Sequence, residues 1–297
     1  MTGFICIDKP QNMTSFTAAN RARAILGCKK AGHTGTLDPM ATGVLPIALS
    51  GATRFIELLP TAEKGYTARV QLGVTTDTLD MTGTVLSQSA VQVTPAQIEE
   101  TARSFLGESM QTPLMYSALS KDGVRLYELA RRGETVERAQ RKIRISALSV
   151  SDFSEDAFTL SVTCSAGTYI RSLADDIGRN LGCGAALSAL RRTAANGFTL
   201  NDCISLDELE ALRDAGAVQA HIYPVDACLS AYPEITVTAP QAVRFQNGGE
   251  LFLNRIGNPK AGLYRLYAPD RRFLGLGEVP PDENADCLTV RRVFVDG

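Results

Sequence analysis

Histidine is nearly absent from this chain, with two in 297 residues, His33 and His221. A histidine-built metal centre has little to draw on, and no metal or other cofactor is expected. The seven cysteines, at positions 6, 28, 164, 183, 203, 228 and 287, are odd in number and never form a C-x-x-C pair. That excludes a zinc knuckle and a disulfide framework as organising devices. No apolar run approaches the ~18 residues of a membrane span, and the start Met-Thr-Gly-Phe-Ile-Cys-Ile-Asp-Lys-Pro lacks the basic opening and apolar length of a signal peptide. A cytoplasmic location away from membranes is expected. Glycine-rich phosphate loops of P-loop or dinucleotide-binding spacing, internal repeats and low-complexity tracts are also missing.

What remains is the composition of an ordinary globular protein, 44% hydrophobic and 21% charged, long enough for one large domain and a smaller one. The net charge of −2 shows no overall basic field, but the charges are unevenly placed. Residues 1–54 carry Lys9, Arg21, Arg23, Lys29, Lys30 and Arg54 against Asp8 and Asp38. Residues 121–144 carry Lys121, Arg125, Arg131, Arg132, Arg138, Arg141, Lys142 and Arg144 against Asp122, Glu128, Glu134 and Glu137. Residues 200–240 are acidic, with Arg213 as the lone cation. Such polarity suits either a phosphate-binding side or solvated helix faces with pairs such as Glu128 and Arg132.

Pattern and capping signals predict strands at 4–8, 66–72, 84–86, 110–119, 143–153 and 158–164, with a polar turn at Ser154 to Asp156. Helices are predicted at 15–26, at 95–106 behind Thr94 and Pro95, at 126–132, at 170–181 and at 206–214. Runs of strands with irregularly spaced helices indicate an α+β fold with a mixed sheet. From about Tyr232, short strand candidates alternate with Gly, Pro, Asn and Asp, as in a small β-barrel packed on the larger body. This gives expected domains of 1–231 and 232–297.

The most chemically suggestive stretch is residues 32–43, Gly-His-Thr-Gly-Thr-Leu-Asp-Pro-Met-Ala-Thr-Gly. Its glycines and proline disfavour a helix or a central strand, so it reads as an ordered loop that presents one histidine and one aspartate. Asp-Pro also opens turns and caps helices, and composition alone does not choose between these readings.

Gly32 to Pro46 closely resembles the catalytic loop of the TruB family, the bacterial tRNA pseudouridine-55 synthases. Further stretches match in order: Lys64 and Tyr66; Leu72-Gly73 with Thr76-Asp77-Thr78, Asp80 and Gly83; Met115 to Leu119; Leu126 to Arg131; Gly167-Thr168-Tyr169-Ile170-Arg171; Leu181 to Ala185; and Leu190-Arg191-Arg192. The resemblance spans about residues 3–200, and the tail is similar, with weaker motifs, to the family's PUA-like RNA-binding module.

The resemblance implies a pseudouridine synthase-like α+β domain, its sheet mainly antiparallel with flanking helices, plus a PUA-like β-barrel. It implies isomerisation of uridine 55 in the T loop of tRNA. The N1 glycosidic bond breaks, the uracil turns, and a C5 bond forms. Asp38 is then the catalytic carboxylate, acting on the sugar, on the base, or by removing a ribose proton. Arg171 would hold it ionised and oriented, because a fixed guanidinium favours the charged acid. Tyr66 would stack on or hydrogen-bond the target base, Tyr169 would pack beneath it, and Leu190 would wall in the detached uracil. His33 would fill the place of the flipped nucleotide or touch its phosphate. Phosphate contacts are expected from Lys9, Lys29, Lys30, Lys64, Arg131, Arg132, Arg141 and Lys142. Two departures from the family pattern are Ala166, where lysine is frequent, and Gly65, where a bulkier residue is common. No second acid suitably spaced for a hydrolase is seen. The expected partner is the tRNA T-stem-loop, with the chain a monomer that needs no protein partner.

Overall fold

The computed structural model describes residues 1–116, 120, 121, 123–282 and 285–296. The first strands are β1 (Gly3–Lys9), β2 (Ala31–His33), β3 (Thr42–Leu49) and β4 (Lys64–Leu72). A separate hairpin pairs β5 (Val74–Thr76) with β6 (Val85–Gln88), and β7 (Gly107–Gln111) precedes the short pair β8 (Ser120–Lys121) and β9 (Val124–Arg125). Then come β10 (Arg141–Ser151), β11 (Ala157–Cys164), β12 (Ala185–Ala195) and β13 (Phe198–Thr199). The main sheet has nine strands in the order β1-β3-β12-β4-β11-β10-β7, with β2 added to β3 and β13 to β12. Its described pairings are antiparallel apart from β3 with β12, so the mixed, mainly antiparallel α+β architecture holds.

Helix α1 (Ser15–Ile25) starts where the Thr14 hydroxyl accepts from the Thr17 amide, and α2 (Pro95–Arg103) starts in a Thr94–Gln97 capping box with Pro95 in its first turn. Helix α3 (Leu126–Arg131) is short. Helix α4 (Ile170–Asn180) turns Ile170, Leu173, Ala174 and Ile177, the i, i+3, i+4, i+7 stripe, onto the apolar face formed by Tyr66, Ala68 and Val70 of β4. Helix α5 (Leu206–Asp214) opens with a Ser205–Glu208 capping box and packs beside α1 over β1 and β3.

Several expectations need correction. The strand predicted over 110–119 ends at Gln111, and residues 117–119, with Asp122, lie outside the described residues. Two central strands, Thr42–Leu49 and Ala185–Ala195, are not among the predicted elements. In the tail, β14 (Glu234–Thr236), β15 (Leu251–Phe252), β16 (Gly262–Tyr267), β17 (Phe273–Val279) and β18 (Cys287–Val293) form a five-stranded curled sheet, compatible with a PUA-like unit. Helix α6 (Ala239–Gln246) lies against it, an element the strand-like reading of this region did not include. The sheet is seated on the body by Phe55, Phe273 and Phe294, whose ring centroids are 5.4 to 6.2 Å apart. Such aromatic contacts contribute roughly 0.5–1.5 kcal/mol each beyond area burial.

Candidate active site

The loop of residues 34–41 joins β2 to β3, whose pairing continues one step beyond the strand through Thr34 N–H to Pro46 O at 3.1 Å. Asp38-Pro39-Met40-Ala41 is a turn closed by Ala41 N–H to Asp38 O at 3.0 Å, with proline in the position its fixed φ favours. Ser15, at the start of α1, fixes the residue before the aspartate: its Oγ accepts from Leu37 N–H at 2.8 Å and donates to Leu37 O at 3.1 Å. Gly43 has φ +100°, and a Cβ there would lie 2.2 Å from the Arg192 carbonyl oxygen, so only glycine fits. The close approach it permits is to the protein's own backbone.

Arg171, on the first turn of α4, is buried and uses its whole fork. Nε meets Asp38 Oδ2 at 3.0 Å, Nη1 donates to Thr78 O at 2.9 Å and meets Asp80 Oδ2 at 3.4 Å, and Nη2 donates to Tyr116 O at 2.9 Å. Asp80 is the acid that the sequence reading left without a role. It is buried, and it accepts from Thr82 N–H at 3.0 Å and from the Thr78 hydroxyl at 2.9 Å. Between Thr78 and Asp80, Leu79 adopts φ +60°, a costly conformation for a leucine. Backbone bonds from Leu187 N–H to Leu79 O (3.1 Å) and from Met81 N–H to Leu187 O (2.8 Å) hold it there. The strained turn thus aims both the Thr78 carbonyl and the Asp80 carboxylate at Arg171.

About a third of the Asp38 side chain, 35%, is open to solvent, yet the protein around it desolvates the carboxyl strongly. Burial pushes its pKa above the ordinary aspartate value; Arg171 and Lys9 oppose the rise and Asp80 adds to it. Arg171 therefore acts in the expected direction but does not outweigh burial. Tyr66 (8% exposed), Leu190 and Leu37 belong to one apolar cluster beside the loop, so the structure brings these side chains together. Burial pushes the Tyr66 phenol up. Tyr169, half-buried, precedes α4, and its backbone is clamped by Gln111, whose Nε2 donates to Tyr169 O (3.0 Å) and whose Oε1 accepts from Tyr169 N–H (2.8 Å). His33 ends β2 with a buried, unpartnered Nδ1, and burial followed by Arg192 holds its pKa below the ordinary histidine value. A neutral imidazole at pH 7 follows.

The expected phosphate contacts separate. Lys9 is a correction: it is wholly buried, its Nζ donating to the carbonyls of Pro10 (2.9 Å), Met13 (2.6 Å) and Pro39 (3.3 Å). Burial lowers its pKa to about 8. It braces the loop from beneath and offers nothing to an external phosphate. Lys64 is half-buried, with its ammonium 3.0 Å from where a Gly35 Cβ would stand, and its pKa is lowered by burial and then Arg192. Lys29, Lys30, Arg132, Arg141 and Lys142 are exposed, Lys142 paired with Glu108 at 2.8 Å. The Arg131 side chain lies outside the described residues.

The site is thus a desolvated aspartate tied to a buried arginine, beside a tyrosine and an apolar wall on a mixed sheet, and the comparisons supply its family. Residues 23–170 match the N-terminal domain of TruB family pseudouridylate synthase, 171–230 a tRNA pseudouridylate synthase B C-terminal domain, and 233–293 the C-terminal domain of pseudouridine synthase II TruB. Proteins called tRNA pseudouridine synthase B from Dechloromonas aromatica and Pseudomonas fluorescens are 46% and 44% identical to it. The first match covers 93% of this chain and 91% of the relative, the second 95% and 93%. The chain belongs to the TruB family. Its fold also matches that in the crystal structure of a Cbf5-Nop10-Gar1 complex, with a TM-score of 0.75 and 26% identity over 99% of this chain and 85% of the other.

Proposed function

We propose that this chain isomerises uridine 55 in the T loop of tRNA to pseudouridine, with Asp38 as the catalytic carboxylate. The observation that carries the reading is the Asp38–Arg171–Asp80 array opening beside Tyr66 and Leu190. Relatives bearing the name tRNA pseudouridine synthase B, similar over nearly the whole chain, support the substrate.

An unactivated N-glycosidic bond needs a carboxylate delivered at close range. Asp38 is delivered by a rigid turn, its orientation fixed by Arg171 Nε. Attack on the sugar, addition to the base and removal of a ribose proton all need it ionised, so Arg171 counteracts the burial that favours the neutral acid. The flipped uracil packs on Tyr66, with Tyr169 beneath it and Leu190 retaining it after release, while the neutral His33 ring suits stacking in the vacated position. Lys29, Lys30, Arg132 and Arg141 supply phosphate contacts from exposed positions. Residues 232–297 act as the RNA-binding accessory unit, and the chain works as a cytoplasmic monomer.

The test is incubation with unmodified tRNA and chemical mapping of pseudouridine, wild type against Asp38→Ala. Expected is a single modified T-loop position with wild type and a loss of at least about 10⁴-fold in the variant, as for removal of a covalent or acid–base group. Activity retained in Asp38→Ala refutes the assignment of the carboxylate; tRNA binding without modification by the wild type refutes the isomerase reading.

A further inference from the structure

Arg192 ranks first in volume among the fully buried side chains, and no role above uses it. It stands where β12 runs between β3 and β4, its backbone paired with Gly43 on one side and with Tyr66 on the other. Its guanidinium binds carbonyls on both sides of Asp38, two in the loop before it and one in β3 after it. Nη2 donates to Gly35 O at 3.1 Å, Nη1 to Thr36 O at 3.4 Å, and Nε to Val44 O at 2.8 Å. The Tyr66 phenol lies near enough to interact electrostatically with the same guanidinium. The adjacent Arg191 takes the nearby carboxylate of Asp8 at 2.7 Å, and among the described residues no carboxylate lies within ion-pair reach of Arg192.

A buried cation matched only by carbonyl dipoles and a phenol is costly, and an apolar side chain of similar size could fill the space more cheaply. What an apolar group could not do is bind two loop carbonyls and the Val44 carbonyl of β3 at once, with its charge beside the Tyr66 phenol. We infer that Arg192 is a positioning residue for the isomerisation: it fastens the Asp38 loop and the Tyr66 phenol into one unit, so that carboxylate and ring meet the same nucleotide. This rests on the isomerase reading above. The planar fork is essential to it, since a lysine ammonium cannot span three separated carbonyls.

The experiment compares wild type, R192K, R192M, Y66F and the two Arg192/Tyr66 double variants. Single-turnover rates on unmodified tRNA are measured alongside tRNA affinity, with circular dichroism to report folding. Expected are affinities within about twofold of wild type and a rate loss of about 100-fold in R192M, the scale of a small misplacement of reacting groups. R192K should lose about tenfold. The double variants should be less impaired than the product of the single losses, because the two residues act together. A folded R192M at wild-type rate overturns the inference, as do fully multiplicative losses in the double variants. Should R192M not fold, the R192K and Y66F cycle decides alone, and an R192K rate equal to wild type overturns it. A wild type that leaves tRNA unmodified instead brings down the isomerase reading itself.

Discussion

Arg171 and Arg192 are both buried beside the Asp38 loop, and their charges are met in opposite ways. Arg171 faces two carboxylates, Asp38 and Asp80, and two carbonyls. Arg192 faces three carbonyls and a phenol. The α4 side of the loop therefore carries an excess of negative charge, while on the β12 side Arg192 helps pull His33 and Lys64 below their ordinary pKa values. One arginine manages carboxylate charge. The other manages shape.

The sharpest way to break this contrast is Arg171→Met. Both carboxylates lose their shared cation, and the carbonyls of Thr78 and Tyr116 lose their donor. Removing one side of a buried ion pair costs on the order of 3–5 kcal/mol. We expect a single-turnover loss of about 10³-fold together with a clear fall in thermal midpoint. R192M, which strands no carboxylate, should fall less in both. Equal losses of stability in the two methionine variants, read by thermal unfolding, would erase the distinction.

A finer test uses the second acid. In its proposed role Asp38 must be ionised to react, so the rate should fall as pH drops through its pKa. Burial has raised that pKa, and the acid limb should lie above the ~3.9 of an ordinary aspartate. Asp80 contributes to the rise, so Asp80→Asn should move the limb to lower pH, while its rate on the plateau falls about tenfold because Arg171 is less well held. R192K should leave the limb in place. An Asp80→Asn limb at wild-type pH would show that Asp80 orients Arg171 without acting on Asp38.

Most of the loop's character was legible in residues 32–43, because Gly, Pro and Asp have local consequences wherever they stand. Its partners were not locally legible, since Arg171 and Asp38 meet only after β4, β11 and α4 are assembled. Asp80 sat inside a quoted motif without a role. Its importance comes from the strained φ of Leu79 and a cation from distant sequence, neither visible in a spacing. The stretch 185–195, Ala-Ala-Leu-Ser-Ala-Leu-Arg-Arg-Thr-Ala-Ala, is rich in helix formers, yet pairing with β4 and β3 makes it a central strand. The helix at 239–246 had a readable signal in Thr238, Pro240 and Gln241, a capping box obscured by the strands around it.

Lys9 shows why a basic count overstates a basic surface, and it sets the last test. It closes β1 directly beneath Pro39, so its charge is spent on carbonyls. Lys29, Lys30, Arg132 and Arg141 remain on the outside. The double variant Arg132→Ala/Arg141→Ala should weaken tRNA binding only severalfold at moderate salt. It should lower the slope of log affinity against log salt by about 1.4–1.8, the counterion release of two phosphate contacts. Lys9→Met should leave that slope unchanged and slow the chemistry modestly through a looser Asp38 turn. A Lys9→Met slope reduced as much as one exposed arginine's would return Lys9 to the RNA surface. An unaltered slope in the double arginine variant would remove the 121–144 region from it.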